Sequence, residues 1–339
     1  MLKSIFAKPY SKLFIVGDNS GWSTDADAVD LKNFATKLGV PAEIVKRMYL
    51  NLPQAVHYTS QFSLLLPIYK DKNRISVDYY HGKPDQQESF KKCFETLKEH
   101  ENKIIRIRVS NSEMEGLIKS VMTPEKVMRI PLGIDLEVFK PRKVSRSALD
   151  IPEEAFVIGS FQKDGVGWDE GLEPKLIKGP DVFLEVISKL KTQIPNLWVL
   201  LSGPARGYMK KGLEELMIPY RHKFFQDAAD ISTLYDMIDL YIITSREEGG
   251  PKACLESMAK GVPLVTTAVG QCRDLVKNGE NAIVVPVDDV EGLYQGAMKI
   301  FTDKELRDTV VKNGFKTAEE NGFDAQLPLW REYFRLLID

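Results

Sequence analysis

The stretch DLYIITSREEGGPKACLESMAKGVPLVTT, residues 239–267, sets out a strand, a loop, a helix and a second strand in turn. Its first apolar run, 239–245, predicts a buried strand, and PLVTT at 263–267 predicts another. Pro251 suits the first turn of the helix predicted over 251–260, where a missing N–H costs no hydrogen bond. Because a strand followed by a helix and another strand usually forms a parallel pair, this stretch predicts an α/β protein with a parallel sheet covered by helices.

Two acids, Glu248 and Glu256, flank the glycine-containing loop of this stretch. The start of a helix offers backbone N–H groups and a partial positive charge, which together favour an anion such as a phosphate. An ionised carboxylate only accepts hydrogen bonds and can take two neighbouring hydroxyls at once. A ligand with both phosphates and diols, such as a nucleotide sugar, would therefore satisfy the whole segment. A purely structural role also stays open, because acids near a helix start are stabilised by about 0.3–1 kcal/mol without any ligand.

Short apolar runs alternate with amphipathic patterns over the rest of the chain. Further strands are predicted at 12–17, 55–59, 75–80, 103–109, 126–130, 156–161, 197–203, 223–227 and 282–287. Further helices are predicted at 26–39, 86–101, 112–121, 180–193, 210–217, 232–237 and 289–301. The stretch 140–154 is basic, contains serines and is flanked by prolines, so it predicts a linker. The alternation on both sides of this linker predicts two Rossmann-like domains, whose ligands bind at the carboxyl ends of the strands.

Composition excludes several classes of protein. The 339 residues carry 46 basic and 48 acidic side chains, and a net charge of −2 gives no global attraction to nucleic acid. The three cysteines, Cys93, Cys254 and Cys272, lack metal-ligand spacing, which indicates a reducing compartment and no bound metal. No apolar run reaches the ~18 residues of a membrane helix, and the N-terminal sequence lacks the pattern of a signal peptide. We therefore expect a cytoplasmic protein.

Several motifs, in a fixed order, resemble the retaining GT-B glycosyltransferases of family 4. The spacing from Glu248 to Glu256 resembles the E-x7-E signature of that family, in its E-G-G-P variant. The other matching motifs are IPLGIDLEVFKP (130–141), KGPDVFLEVISKL (178–190), LLSGPARG (200–207) and GVPLVTTAVGQCRDLVKNGENAIVVPVDD (261–289). The resemblance is strong from about residue 103 to residue 300 and weaker before residue 100.

This resemblance implies a GT-B fold, with two Rossmann-like domains facing a central cleft. It implies an N-terminal acceptor-side domain at 1–143 plus 325–339, a linker at 144–152, and a nucleotide-sugar-binding domain at 153–324. The last part of the chain, 320–339, ends in a predicted helix with an apolar face. In the family this helix crosses back onto the N-terminal domain, and we expect the same here. Packing on the C-terminal domain alone is the alternative.

The resemblance also implies roles for residues of the second domain. Glu256 matches the acid that binds the ribose hydroxyls, and Glu248 matches the acid that holds hydroxyls of the transferred sugar. Lys178 matches the lysine that neutralises the diphosphate. Backbone N–H groups of the intervening loop would face the diphosphate or the sugar. The further residues of this implied donor site are Gly249, Gly250, Pro251, Lys252, Gln162 and Gly203.

One departure from the family pattern lies just before Lys178. The family usually has an arginine about five residues before this lysine, just after a strand. Here Ser160 and Gln162 stand in that region, and the loop leading to Lys178 is longer. Lys163 is the candidate substitute, although it offers a point charge without the planar fork of arginine.

Candidate residues of the first domain follow its predicted strands. His81 in DYYHG matches a position where many relatives carry a histidine near the donor sugar, and a structural histidine is the alternative. The loop after the first strand matches a glycine loop that faces the cleft, although a plain polar turn is nearly as well supported. Its candidate residues are Gly17, Asn19, Ser20 and Gly21. For Trp22 and Trp168, the sequence does not decide between stacking on a sugar and simple packing.

The implied activity is that of a retaining hexosyltransferase, which moves a sugar from a nucleotide sugar to a hydroxyl of a glycan or lipid-linked glycan. A UDP-sugar is favoured as the donor and GDP-mannose comes next; no metal or other cofactor is expected. Arg106 and Arg108 on one strand leave a lipid-phosphate acceptor and peripheral contact with the inner membrane surface open. We expect a monomer or a homodimer. The alternatives are a partner subunit that has lost turnover, or another GT-B enzyme such as a nucleotide-sugar epimerase or a sugar phosphorylase.

Overall fold

The computed structural model describes residues 10–17, 23–46, 54–66, 73–225 and 227–338. The strands are β1 (Leu13–Val16), β2 (Ala42–Val45), β3 (Ala55–Tyr58), β4 (Arg74–Tyr79), β5 (Ile104–Val109), β6 (Val127–Arg129), β7 (Phe156–Phe161), β8 (Leu197–Ser202), β9 (Tyr220–His222), β10 (Leu240–Ile243), β11 (Leu264–Thr267) and β12 (Ile283–Val285). The α-helices are α1 (Ser23–Lys37), α2 (Glu88–Glu99), α3 (Ser112–Lys119), α4 (Pro180–Lys191), α5 (Gly207–Glu215), α6 (Ala228–Tyr235), α7 (Ala253–Ala259), α8 (Cys272–Leu275), α9 (Val290–Thr302), α10 (Lys304–Glu320) and α11 (Phe323–Ile338).

The chain forms two compact units. Unit 1 comprises Met1–Pro131 and Phe323–Asp339, and unit 2 comprises Leu132–Gly322. The structure therefore places the change of unit at residue 132, ahead of the predicted linker at 144–152. The physical reason is burial: Leu149 and Ile151 of that stretch pack in the apolar core of unit 2.

Unit 1 is built on a parallel sheet with the order β2-β1-β3-β4-β5-β6 in the described residues. Helix α2 buries Phe90, Cys93, Phe94 and Leu97, which recur at the spacing of one helical face. Together with α3 it covers one side of the sheet, while α1 and α11 cover the other.

Helix α11 completes the core of unit 1. It buries Trp330, Tyr333, Phe334 and Leu337 along one face, and the Trp330 ring stacks on Phe34 of α1 with 4.9 Å between ring centroids. Large aromatic side chains bury more apolar surface than any others, so this contact fixes the helix firmly. The expected return of the last helix to the first domain is confirmed.

Unit 2 has a parallel sheet with the order β12-β11-β10-β7-β8-β9 in the described residues. Helices α4, α5 and α9 pack on one face, whereas α6 and α7 pack on the other. The first strand of the unit, β7, lies between β8 and β10. The strand order reverses between β7 and β10, and parallel sheets of this kind bind ligands at the carboxyl ends of the strands at such a point.

A few elements differ from the sequence prediction. The strand predicted at 223–227 was wrong, because the paired strand is β9, where Tyr220 and His222 lie opposite Val199 and Leu201. Phe224 is instead exposed. The sequence pattern did not predict β2, α8 or α10. In β2 the two central residues are exposed, so the apolar signal of a buried strand is missing.

Candidate active site

Two loops far apart in the sequence bring a lysine and an acid together in unit 2. Lys178 lies just before α4, on the connection that follows β7, and Glu248 lies in the loop after β10. The Lys178 Nζ is 2.5 Å from the Glu248 Oε1, and the two side chains are 21% and 14% exposed. Ser245 donates a second hydrogen bond to the same oxygen at 3.0 Å. A partly exposed ion pair therefore stands at the point where the strand order reverses.

The backbone around this pair is held by neighbouring groups. Gly179 adopts a left-handed conformation, with φ of +64°, and a Cβ at this position would lie 2.0 Å from the Thr244 carbonyl oxygen. Arg246, which the sequence prediction did not include, donates two hydrogen bonds of 2.8 Å to Asp181 at the start of α4. It also bonds Asp288 at 2.7 Å. Because a bidentate arginine fixes both distance and orientation, Arg246 locks the Glu248 loop to the helix beside Lys178.

Glu256 lies on α7, and a buried tyrosine fixes its carboxylate. Its Oε2 accepts a hydrogen bond of 2.8 Å from the hydroxyl of Tyr235, which is fully buried on α6. Helix α7 begins at Ala253, two residues after the predicted start, since Pro251 and Lys252 form the turn that leads into it. Glu256 therefore lies in the first turn of this helix.

The glycines between the two acids pack closely against another loop. A Cβ on Gly250 would lie 2.9 Å from the Leu132 side chain and 3.0 Å from the Gln271 Oε1. Gln271 in turn accepts a hydrogen bond from the Leu132 N–H at 2.8 Å and donates to the Pro251 carbonyl at 3.4 Å. The glycine loop is thus in close contact with its neighbours, and a larger residue at position 250 would have to displace the ends of the Leu132 and Gln271 side chains.

The end of β7 lacks the arginine that the family usually has there. The structure brings Arg206 to this point, but Arg206 does not replace it. Arg206, just before α5, is 1% exposed and donates to the carbonyls of Ser160, Gln162 and Ser202 at 2.7, 2.9 and 2.5 Å. Its Nε lies 2.9 Å from the Asp164 Oδ1. Burial raises the pKa of Asp164, with the opposing charge of Arg206 acting against this effect. Arg206 therefore ties together the ends of β7 and β8 and lies beyond the reach of a ligand.

Gly203 and Gln162 take part in the same packing. Gly203 has a φ of +98°, and a Cβ there would lie 2.4 Å from the Gln162 carbonyl oxygen. The Gln162 Nε2 donates to the Lys178 carbonyl at 3.3 Å. Both residues thus lie beside the Lys178 segment, while their contact with a donor stays a prediction.

The longer loop before Lys178 is ordered by its own hydrogen bonds. Residues Gly165 and Pro174 form an antiparallel bridge, and the Lys175 N–H donates to the Asp164 carbonyl at 2.7 Å. The far end of the loop is fixed because the Gly207 N–H donates to the Glu170 carbonyl at 2.6 Å. The loop therefore folds back on its own start and returns Lys175 to the end of β7.

Lys163, Lys175 and Lys178 all lie on the connection between β7 and α4. Burial lowers the pKa of Lys175, and the positive charges of Lys178 and Lys163 lower it further. Lys163 Nζ lies 3.8 Å from the centroid of the Trp168 ring, whose residue is 58% exposed. Sequence reasoning did not find Lys175; the length of the loop and its Gly and Pro residues are the signal that it turns back. Like charges that act on one another in this way favour a multivalent anion.

The candidate residues of unit 1 belong to a different sheet. His81 follows β4, is half-buried and packs its ring edge-on against Phe90 at 5.4 Å between centroids. Gly17 follows β1, and a Cβ there would lie 2.4 Å from the Asp25 Oδ1. Asn19, Ser20 and Gly21, like Trp22, lie outside the described residues. The functional roles of His81 and Gly17 stay predictions.

The sequence left open a basic surface formed by two arginines of β5. This expectation was wrong, because both arginines are buried. Arg106 and Arg108 are 7% and 3% exposed, because α11 covers this face of the sheet. Arg106 bonds Glu332 at 3.1 Å, and the Arg108 Nη1 lies 3.4 Å from the Asp78 Oδ2. Both charges are thus satisfied inside unit 1 rather than presented to a membrane.

Asp78 is the centre of this buried group. Its Oδ2 also lies 3.2 Å from the His57 Nε2 and accepts a hydrogen bond from the Tyr80 hydroxyl at 2.7 Å. Burial alone would raise the pKa of Asp78, but Arg108 and His57 together hold it below its ordinary value. The carboxylate is therefore ionised and stabilised in place.

Within the part of the chain that the structure describes, no group of three or more His, Cys, Asp or Glu side chains is arranged to hold a metal ion. The same residues contain no helix with the length and apolar character that crossing a membrane requires. Cys93, Cys254 and Cys272 are all buried free thiols.

Comparison with known proteins gives a family match to unit 2. The family described as "Glycosyl transferases group 1" matches residues 172–317. The capsular polysaccharide biosynthesis glycosyltransferase CapM of Staphylococcus aureus is 31% identical over 240 residues, which are 67% of this chain and 59% of CapM. The D-inositol 3-phosphate glycosyltransferase of Saccharomonospora viridis is 27% identical over 231 residues, 62% of this chain and 51% of that protein. The chain spans about half the length of the curated relatives it matches.

Solved structures extend the likeness to both units. Sucrose-phosphate synthase from Thermosynechococcus elongatus has a TM-score of 0.78 at 15% identity, covering 96% of this chain and 99% of that one. Anabaena HepE in complex with UDP-glucose has a TM-score of 0.75 at 15% identity, covering 95% and 98%. At such identities the likeness shows the fold alone, and the GT-B fold expected from the sequence is confirmed.

Proposed function

We infer that this chain, a member of the group 1 glycosyltransferases, transfers a sugar from a nucleotide sugar to a hydroxyl acceptor. The observation that carries the proposal is the pair of Lys178 and Glu248, 2.5 Å apart at the point where the strand order of unit 2 reverses. A nucleotide sugar offers a diphosphate to the lysine and hydroxyls to the carboxylate. It therefore satisfies both charges in a way that a simple anion or a neutral sugar would not.

The lysines supply the electrostatic part of the reaction. When the bond between the sugar and the diphosphate breaks, negative charge grows on the leaving phosphate, and positive groups fixed beside it stabilise that charge. Lys178 is the first candidate, with Lys175 and Lys163 as further members of the cluster. Lys175 in this proposal takes the place of the arginine that the end of β7 lacks.

The acids orient the donor. Glu256 accepts the ribose hydroxyls, and Glu248 accepts hydroxyls of the sugar that is transferred, since ionised carboxylates take two neighbouring O–H groups. The backbone from Gly249 to Lys252 faces the diphosphate or the sugar. No metal or other cofactor enters this proposal.

Transfer with retention follows a front-face route in this proposal. The acceptor oxygen bonds the anomeric carbon as the bond to the phosphate breaks, and the acceptor proton passes to the leaving phosphate oxygen. No separate base is needed.

A UDP-sugar is the favoured donor, supported by the UDP-glucose that the HepE complex names, and GDP-mannose comes next. The names of the relatives, which include an inositol phosphate and a capsular polysaccharide, support a hydroxyl acceptor on a glycan or lipid-linked glycan. We propose that the chain acts in the cytoplasm as a monomer or homodimer, without nucleic acid as a partner.

Calorimetric titration with UDP, GDP and ADP tests the proposal. We expect one of them to bind the wild type, and Glu256→Ala to weaken that binding about 10- to 100-fold, because it removes hydrogen bonds to a charged acceptor. Glu215→Ala, which alters an exposed acid on α5, is the control and should bind as the wild type does. Binding of none of the three nucleotides by the wild type would contradict the proposal and favour a partner subunit without turnover.

A further inference from the structure

An aromatic cluster lies directly behind Glu256. It consists of Phe161 at the end of β7, Tyr235 on α6 and Tyr241 on β10. The Phe161 ring packs edge-on against Tyr235 and Tyr241 with centroid distances of 4.9 and 5.3 Å. The two tyrosine rings lie 5.3 Å apart. Since both tyrosines are almost fully buried, the cluster is a rigid support between the sheet and α7.

The two hydroxyls of the cluster have different partners. The Tyr241 hydroxyl accepts from the Phe161 N–H at 2.8 Å and donates to the Phe161 carbonyl at 3.2 Å, so it closes on the backbone. The Tyr235 hydroxyl donates to the Glu256 Oε2 at 2.8 Å. Burial, together with the Glu256 carboxylate, raises the pKa of Tyr235 well above its ordinary value. Tyr235 therefore keeps its proton and stays a donor to Glu256.

We propose that Tyr235 is a positioning residue that holds the Glu256 carboxylate in the orientation that receives the ribose diol of the donor. This inference deepens the proposed function and rests on it. Tyr235 itself does not touch the ribose; it acts through the hydrogen bond to the Glu256 Oε2. The nucleotide part of the donor is then recognised by Tyr235 and Glu256 as one unit.

The physical argument concerns the freedom of a glutamate side chain. An unrestrained glutamate loses rotamer entropy when it is fixed in one orientation. A diol bonds both carboxylate oxygens only when the carboxylate faces it in one orientation, so the loss would fall on ligand binding. A donor to a charged acceptor, held by a buried ring, imposes that order before the ligand arrives. Pre-organisation of this kind raises affinity without adding a contact to the ligand.

The test compares ribose with its dideoxy form. Wild type, Tyr235→Phe, Glu256→Gln and the double variant are titrated with the nucleoside diphosphate that binds best among UDP, GDP and ADP. Each is also titrated with the 2′,3′-dideoxy form of that nucleotide. The matched control is Tyr220→Phe, which removes an exposed tyrosine–glutamate hydrogen bond of 2.7 Å to Glu214 in the same unit.

We expect Tyr235→Phe to weaken binding of the ribonucleotide about 10-fold, and to change binding of the dideoxy form less than 2-fold. The double variant should bind no more weakly than Glu256→Gln alone, since the two residues act as a unit. Tyr220→Phe should bind both ligands as the wild type does.

Three results would overturn the inference. The first is wild-type affinity for the ribonucleotide in Tyr235→Phe, and the second is an equal loss for the ribose and dideoxy forms, which indicates a general packing defect. In both cases the proposed function stands, because the wild type still binds. The third is a wild type that binds none of the nucleotides, which overturns the proposed function and this inference together.

Discussion

Unit 1 and unit 2 each hold an acid against a basic side chain, and the two pairs differ in what surrounds them. Asp78 and Arg108 of unit 1 are 0% and 4% exposed and lie under α11. Glu248 and Lys178 of unit 2 are 14% and 21% exposed and lie in loops at the carboxyl ends of strands. The first pair is buried together with His57 and Tyr80, so a ligand from solvent does not reach it. The second is partly exposed, and in the proposed function it exchanges its internal contact for the donor.

This difference shows that an ion pair is a candidate for function when its position allows the two side chains to separate. A buried pair loses several kcal/mol when one partner is removed, because the other charge stays buried alone. A partly exposed pair loses little, because water replaces the missing partner. The same kind of substitution should therefore destabilise the protein much more at the first pair than at the second.

The largest expected effect is on the stability of unit 1. Arg108→Met leaves Asp78 without its arginine and should lower the free energy of unfolding by about 3–5 kcal/mol. Urea denaturation followed by circular dichroism measures this change. The matched substitution in unit 2, Lys178→Met, should change the same quantity by less than about 1 kcal/mol. Equal losses in the two variants would contradict the distinction between the pairs.

The next effect is on turnover. Lys178→Met should slow release of nucleoside diphosphate from the bound donor by about 10²- to 10³-fold, because a charge that stabilises the leaving group is lost. The measurement is donor turnover under single-turnover conditions, with Lys191→Met on the far end of α4 as the control. A Lys178→Met variant as fast as the wild type would assign the pair to structure alone.

The smallest effect concerns the lysine that the ordered loop returns to the site. Lys175→Met should weaken binding of the nucleoside diphosphate about 5-fold, as expected for one charge near a phosphate in partly exposed surroundings. Lys211→Met, which removes a charge that is 71% exposed on α5, should bind as the wild type does. Titration calorimetry at low and moderate salt measures both, and an unchanged affinity in Lys175→Met would remove this residue from the proposed site.

The sequence was sufficient for the parts of the fold that depend on local pattern. Strands such as β7 and β10 are continuous apolar runs, and the apolar face of α11 recurs at helical spacing, so their type could be predicted. Glu248 and Glu256 could be selected because their loop follows a predicted strand, whereas Lys178 was selected only because its motif resembles one of the family. Whether these residues bind a donor stays a prediction that the experiments above test.

Contacts between distant segments could not be predicted from the sequence. Arg206 lies near the end of β7, where an arginine was expected, yet it comes from the connection after β8 and is buried by carbonyl groups. Lys175 reaches the site only because the loop closes through Gly165 and Pro174. Arg106 and Arg108 look like a surface patch in the sequence, and only the covering helix α11 shows that they are interior. Each case depends on tertiary packing that no local pattern records.

The return of α11 has a consequence for the order in which the protein is made. Unit 2 is one continuous stretch, Leu132–Gly322, whereas unit 1 also needs Phe323–Asp339. One side of the unit 1 sheet is closed by Trp330, Tyr333 and Phe334, so this core cannot be completed until those residues leave the ribosome. During synthesis the part of unit 1 that precedes unit 2 is therefore made before it but completes its core only after α11 is made, and its apolar sheet face stays uncovered in the interval.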